Sequence, residues 1–145
     1  MNRLNRKVEY ALMALKYLAR KRSDELASAK EISDSLGLPF DATARVLQMM
    51  AQRELLHVEQ GTHGGYRIKS DLAKVSFHDL VEVIEGPIEV ARCLHGEECE
   101  LLPTCNIQSP MSFLNRKLEQ FYQGLWLADI LRLREPVSSS QGVAQ

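Results

Sequence analysis

Cys93, Cys99 and Cys105 stand at equal intervals, as C-x5-C-x5-C, and the 145-residue chain has no other cysteine. Thiolates are soft ligands that suit iron–sulfur clusters, zinc or copper(I). A disulfide framework would prefer an even count and a secreted chain. Gly96 and Pro103 lie between the cysteines and break any helical pattern, so the three sulfurs belong to an irregular loop. A loop lets ligands close on a metal and lets them rearrange when it leaves. Two other uses stay open on spacing alone. His95 lies inside the loop, and Cys93, His95, Cys99 and Cys105 form a donor set for a closed tetrahedral zinc site. A cluster-free protein would use the same thiols to sense oxidants or to bind a partner.

Composition narrows the setting. The chain is 45% apolar and 26% charged, ordinary for a globular protein. No apolar run is long enough to span a membrane, and the charged start, Arg3 to Lys7, precedes no signal-type apolar stretch. A cytoplasmic protein in a reducing compartment is expected. Net charge is −1 but divides unevenly: residues 1–70 carry 12 Lys/Arg against 8 Asp/Glu, residues 71–145 carry 6 against 11. A basic first half suits a polyanionic partner. No nucleophile elbow, P-loop or dinucleotide fingerprint occurs, and the adjacent His78 and Asp79 lack a partner nucleophile, so no enzyme is expected.

The elements around the loop follow from periodicity. Val8, Ala11, Leu12, Leu15, Leu18 and Ala19 form one stripe of an amphipathic helix. Glu9 is the single acidic group in the first 23 residues. Ser28 to Glu31 reads as a capping box, and Gly37 ends the helix it opens. After Leu38-Pro39 a second helix runs from about Phe40 to Glu54. Its expected inner face is Val46, Leu47, Met50 and Ala51; its expected outer face is Asp41, Ala42, Thr43, Arg45, Gln48 and Gln52. Two short helices about a glycine turn make a helix-turn-helix, whose second helix enters the major groove. Leu55 to Gln60 and Tyr66 to Lys69 flank Gly61, Gly64 and Gly65, the pattern of a hairpin, hence a wing. Glycines there supply positive φ and let backbone approach a phosphate or the minor groove.

Ser76 to Asp79 opens another helix, stopped by Gly86-Pro87. Beyond the cysteines, Ser109 as cap and Pro110 open a long helix. Met111, Leu114, Leu118, Phe121 and Leu125 make a heptad seam, and Phe113, Tyr122, Trp126 and Ile130 a second apolar face. Two apolar faces exceed what one small domain covers, so a partner chain is expected on one of them. Gly124 is where the helix would kink or break, and Pro136 stops it. The fold class is mainly α with a small β-hairpin. Residues 1–86 form a winged helix-turn-helix, 87–108 the cysteine loop, 109–134 a dimerisation helix and 135–145 a disordered tail.

The order of parts resembles the Rrf2 family of bacterial winged-helix regulators, which includes IscR-like and NsrR-like iron–sulfur repressors. The resemblance runs from about Arg3 to Leu133 and rests on Arg3-Leu4 with Tyr10-Ala11-Leu12, on His63-Gly64-Gly65-Tyr66, and on the cysteine spacing. It implies a homodimer, crossed through the C-terminal helices, that binds a pseudo-palindromic duplex operator. It also implies an iron–sulfur cluster on Cys93, Cys99 and Cys105 that senses nitric oxide, redox state or iron–sulfur status and gates repression. IscR-like members place a histidine three residues after the last cysteine; Gln108 stands there, a poor ligand. NsrR-like members take a carboxylate from the first helix of the other subunit, a position that aligns with Glu9. Glu9 is therefore preferred to His95 as the fourth donor, and a four-iron cluster to a two-iron one. DNA contacts are implied for Asp41, Ala42, Thr43, Arg45 and Gln48 and for the wing at Gln60, with His63, Arg67, Arg3, Arg6 and Lys7 on phosphates. Ala42 stands where some members carry tyrosine, and Gln60 where IscR-like members place a minor-groove arginine, so no operator sequence follows.

Overall fold

A computed structural model describes residues 3–95 and 98–133, except for the side chain of His95. The tail call for 135–145 lies outside the described residues. Helix α1 (Arg6–Ala19) is capped by Asn5, whose side chain accepts from the Lys7 amide, and buries Val8, Ala11, Ala14, Leu15 and Leu18. Helix α2 (Ala29–Leu36) starts at Ser28 and ends at Gly37, which takes the left-handed φ of 67°. The expected capping box is half formed. Ser28 Oγ accepts from the Glu31 amide at 3.0 Å, but the Glu31 carboxylate turns to the Tyr17 hydroxyl at 2.7 Å and the Lys21 ammonium at 2.8 Å. A cation and a phenol make stronger partners for a carboxylate than a solvated backbone amide.

Helix α3 (Phe40–Gln52) buries Thr43, Val46, Leu47 and Met50. Glu54 then takes a left-handed φ of 62°. Its carbonyl accepts from Ser70 Oγ at 3.0 Å, which helps hold that unfavourable conformation. Strands β1 (Leu56–Glu59) and β2 (Gly65–Ile68) pair antiparallel, with Leu56 opposite Ile68 and Glu59 opposite Gly65. Tyr66 also pairs with Ala27, amide to carbonyl both ways at 2.8 and 3.0 Å, so the wing is joined to the start of α2. That joint explains the glycines. A Cβ on Gly65 would lie 2.7 Å from the Ala27 backbone, and one on Gly64 would overlap the Glu59 carbonyl. These two residues let the protein's own backbone segments touch, and Gly65 takes the positive φ, 155°, expected of a wing glycine.

Helix α4 (Phe77–Glu85) opens on a complete capping box between Ser76 and Asp79 and packs on α1 and α3. Two short 3-10 turns, Arg92–His95 and Leu102–Thr104, fall within the cysteine loop. Helix α5 (Gln108–Gln123) follows, with Ile107 rather than Ser109 at its N-cap and no side-chain cap bond. Its first turn leaves amides unpaired in any case, which is where Pro110 fits.

The helix expected to reach residue 134 ends at Gln123, and Gly124 is the break. Leu125 and Trp126 then run extended beside the start of α4: the Phe77 amide donates to Leu125 at 2.7 Å and the Leu127 amide to Val75 at 2.9 Å. A last turn, α6 (Leu127–Ile130), returns to the core. Leu127 is fully buried, and Ala128 and Leu131 nearly so, beside Leu15, Ile32, Leu47, Met50 and Leu80. Leu127, Ala128 and Leu131 thus join the winged-helix core, while Trp126 and Ile130 stay exposed. The apolar spacing runs past Gly124 because Leu125 continues the seam of Leu118 and Phe121, and Ile130 the face of Tyr122 and Trp126. Backbone pairing with residues 72–77 offers those groups a better place.

Candidate nucleic-acid interface and cysteine loop

The outward face of α3 carries Asp41, Arg45, Gln48 and Gln52, all exposed, with Ala42 half-buried beside them. Thr43 departs from its expected position. It is fully buried, and its hydroxyl donates to the Pro39 carbonyl at 2.8 Å. Four residues of helix place Thr43, Val46, Leu47 and Met50 on one inward stripe, so Thr43 steadies the first turn of α3 and reaches no base. The wing presents Gln60 and His63 fully and Arg67 in part. Between α3, the start of α2 and the wing runs a groove of about 580 Å³, lined by Ser28, Gln48, Gln52, Gln60, Gly64 and Tyr66. The amides and hydroxyls there, the chemistry that meets base edges and phosphate oxygens, alternate with Ala29, Ala51 and Val58 and with one carboxylate, Glu59. Burial pushes the Tyr66 hydroxyl above its usual value of 10, so it stays a neutral phenol.

Sequence periodicity gave no hint of what fixes α2 against α1. The Tyr17, Lys21 and Glu31 cluster does so. The hydrogen bond from Lys21 holds the Glu31 carboxyl below its usual value of 4.5, with Tyr17 adding to the effect. Lys21 is raised in turn, first by its bond to Glu31. Lys21 also sits 5.4 Å from the centre of the Tyr17 ring. Arg3 and Lys7 are exposed at the start of α1, and Arg6 pairs with Glu9 at 3.1 Å.

The cysteine loop is tied near its start, where the Val90 amide donates to Asn115 Oδ1 of α5 at 2.9 Å, and Asn115 Nδ2 reaches Glu119 at 3.1 Å. The far end of α5 is pinned to the start of α4 by Phe77 against Tyr122, edge to face at 4.8 Å. No sequence period joins Val90 to Asn115, 25 residues apart, so only the fold reveals that clamp. Cys93, Cys99 and Cys105 are free and half-buried. Three free thiols on one loop fit a three-thiolate centre in donor chemistry. Among the described residues of the single chain, no three His, Cys, Asp or Glu side chains converge on one point. Glu9 stands on α1 with Arg6, outside the loop.

Helix α5 itself has no buried residue. Phe121 is 62% exposed, Phe113 55% and Leu114 49%, and Leu101, Leu102 and Ile107 extend the apolar surface into the loop. Covering one such side chain is worth about 1.5–3 kcal/mol.

Comparison with known proteins places this architecture. The family model for Rrf2, described as an iron-dependent transcriptional regulator, matches residues 4–133. The HTH-type transcriptional regulator NsrR of Bacillus licheniformis is 25% identical over 121 residues, covering 82% of each chain. Among solved structures, CymR (YrzC), the global cysteine regulator of B. subtilis, superposes with a TM-score of 0.68 at 21% identity, covering 93% of this chain and all of that one. IscR of T. potens superposes with a TM-score of 0.65 at 20% identity, covering 97% and 94%. These likenesses establish the winged-helix fold. No helix among the described residues is long and apolar enough to cross a membrane.

Proposed function

We propose that this protein, which belongs to the Rrf2 family of DNA-binding transcriptional regulators, is a homodimeric repressor whose operator affinity is set by an iron–sulfur cluster. Cys93, Cys99 and Cys105 would hold the cluster, with Glu9 of the partner subunit as the fourth donor. The observation that carries this reading is the placement of three free thiols on a loop clamped between the helix behind the recognition helix and the exposed apolar helix. The likeness to NsrR supports it. Bound there, the cluster would supply an iron whose weak carboxylate bond yields to nitric oxide or oxygen. A four-iron cluster is favoured because the carboxylate match is with NsrR-like members.

The chain's own residues give such a centre its leverage. Gathering the sulfurs moves the loop, and the Val90–Asn115 bond passes that movement to α5. Phe77 and Tyr122 join α5 to α4, and α4 packs directly on α3. The Arg6–Glu9 pair is solvent-exposed and worth at most about 1 kcal/mol, so Glu9 is readily released to a metal. Reaching a thiolate set on the other subunit would also fix the angle between the two recognition helices, on which half-site spacing depends. A coupling of about 1–3 kcal/mol, or 5–150-fold in affinity, is typical of such links.

The test is anaerobic purification with ample iron, followed by iron and acid-labile sulfide analysis and gel shift of loaded against apo protein. Brown dimeric protein with sulfide, lost in Cys99→Ser, and a changed operator affinity on cluster removal are expected. Colourless protein with zinc and no sulfide would replace this reading with the zinc site at Cys93, His95, Cys99 and Cys105. Mössbauer spectra of wild type and Glu9→Ala would show whether one iron of four changes its ligand.

A further inference from the structure

A cavity of about 460 Å³ opens where the end of α1, strand β2 with the residues after it, and the C-terminal return meet. That volume lies within the range that takes a small organic molecule. Leu18, Leu72 and Ala128 reach it from the core, and Ile68 and the 37% exposed Leu133 add apolar wall. The charged groups on its lining are not equally free. Lys21 is committed to Glu31 at 2.8 Å, with Glu25 at 3.7 Å. Arg22 has Asp24 at 3.6 Å, in a pair whose side chains are 79% and 76% exposed. Such solvated pairs hold weakly. The side chain of Arg67, half-buried on β2, makes no hydrogen bond or ion pair among the described residues. It lines this cavity and not the groove beside α3. Asp71 is the one carboxylate of the lining; it is exposed and accepts from the Ala73 amide at 2.9 Å.

We propose that this cavity binds a small organic carboxylate with an apolar body. Its head would sit on Arg67 and Arg22, and its body against Ile68, Leu72 and Leu133. A guanidinium fork meets both oxygens of a carboxylate at once. With Lys21 neutralised by Glu31, two arginines against Asp71 leave a single positive charge. That balance suits a singly charged head better than a phosphate monoester, which carries nearly two charges. The apolar walls reward a hydrocarbon body, which a plain inorganic anion lacks. The site depends neither on the cluster nor on DNA binding. Its occupant would tie the wing strand to α1 and to the C-terminal return, since each supplies a wall.

The experiment titrates the full chain with 3-phenylpropionate, with its neutral amide 3-phenylpropanamide, and with inorganic phosphate, by calorimetry at one fixed ionic strength. The acid should bind saturably in the millimolar range. The amide should bind about ten-fold more weakly, the worth of one hydrogen bond to a charged group, and phosphate more weakly still. In amide-resolved NMR spectra the acid should move the signals of Ala19, Leu72 and Ala128, which line the cavity, and leave Gln48 and Gln60 in place. Arg67→Gln should lose about ten-fold for the acid and nothing for the amide, with thermal melting of the variant verifying the fold. Arg22→Gln is the second variant, with a smaller loss for the acid alone. Equal binding of acid and amide overturns the proposal, as does phosphate binding as tightly as the acid. An affinity for the acid unchanged in both variants overturns it too. So do shifts confined to the groove beside α3, or no saturable binding of the acid at millimolar concentration.

Discussion

The winged-helix core and helix α5 with its cysteine loop are built from one chain under opposite rules. In the core, Val8, Leu15, Ile32, Leu47 and Leu127 are fully buried, and every helix offers one inward stripe. In α5 no residue is buried, and Phe113, Leu114 and Phe121 stand exposed among its polar side chains. The first region is complete by itself. The second has donors that do not converge and an apolar surface left open among the described residues. A regulator needs such a division: a rigid reader, and an arm whose stability depends on what it binds.

That contrast can be broken at its strongest point first. Leu127→Ala should cost about 3 kcal/mol in urea unfolding, because the side chain is in the core despite its place near the chain's end. Leu114→Ala, nearly three helical turns before the break, should leave the unfolding of the monomeric unit nearly unchanged and shift the monomer–dimer equilibrium in sedimentation instead. If the two substitutions behaved alike, the division would be wrong. Gly65→Ala should cost about 2 kcal/mol, since its Cβ meets the Ala27 backbone at a φ of 155°. The same variant should weaken operator binding beyond any loss of fold, by freeing the wing from α2.

How far the sequence foretold this depends on the range of the contacts involved. Ser28, Gly37, Ser76 and Gly86 bounded their helices as expected, because caps and breaks are local. The outer face of α3 was read correctly at Asp41, Arg45 and Gln48 and wrongly at Thr43. A hydroxyl that can bond its own helix four residues back is as content inside as outside, so its polarity was no guide. The helix was expected to run past Gln123 because an apolar period extends through Gly124 regardless of where the backbone goes. Asn115 and Tyr17 act across 25 and 14 residues, distances at which no pattern speaks.

Smaller effects sharpen the picture. Asn115→Ala removes one clamp bond and should cost about 1 kcal/mol in stability. Its more telling readout is faster hydrogen exchange at the Val90 amide, with exchange in α3 unchanged in the apo protein. The smallest effect is the pH dependence at Glu31. Its native carboxyl titrates below 4.5, so its contribution is present above that value and fades as pH falls through the depressed native one. Glu31 is largely solvated, and screening limits the gain to about 1 kcal/mol or less. Glu31→Gln should flatten the acid limb of the stability curve by that amount, measured by urea unfolding between pH 5 and pH 3.

The return of Leu125 to Leu131 alongside residues 72–77 has a consequence for how the protein is made. Synthesis runs from the N-terminus, and the three cysteines leave the ribosome before Leu127 does. The winged-helix core therefore cannot close until the cysteine loop is already outside. A nascent chain halted before residue 127 would expose its thiols on a half-finished scaffold.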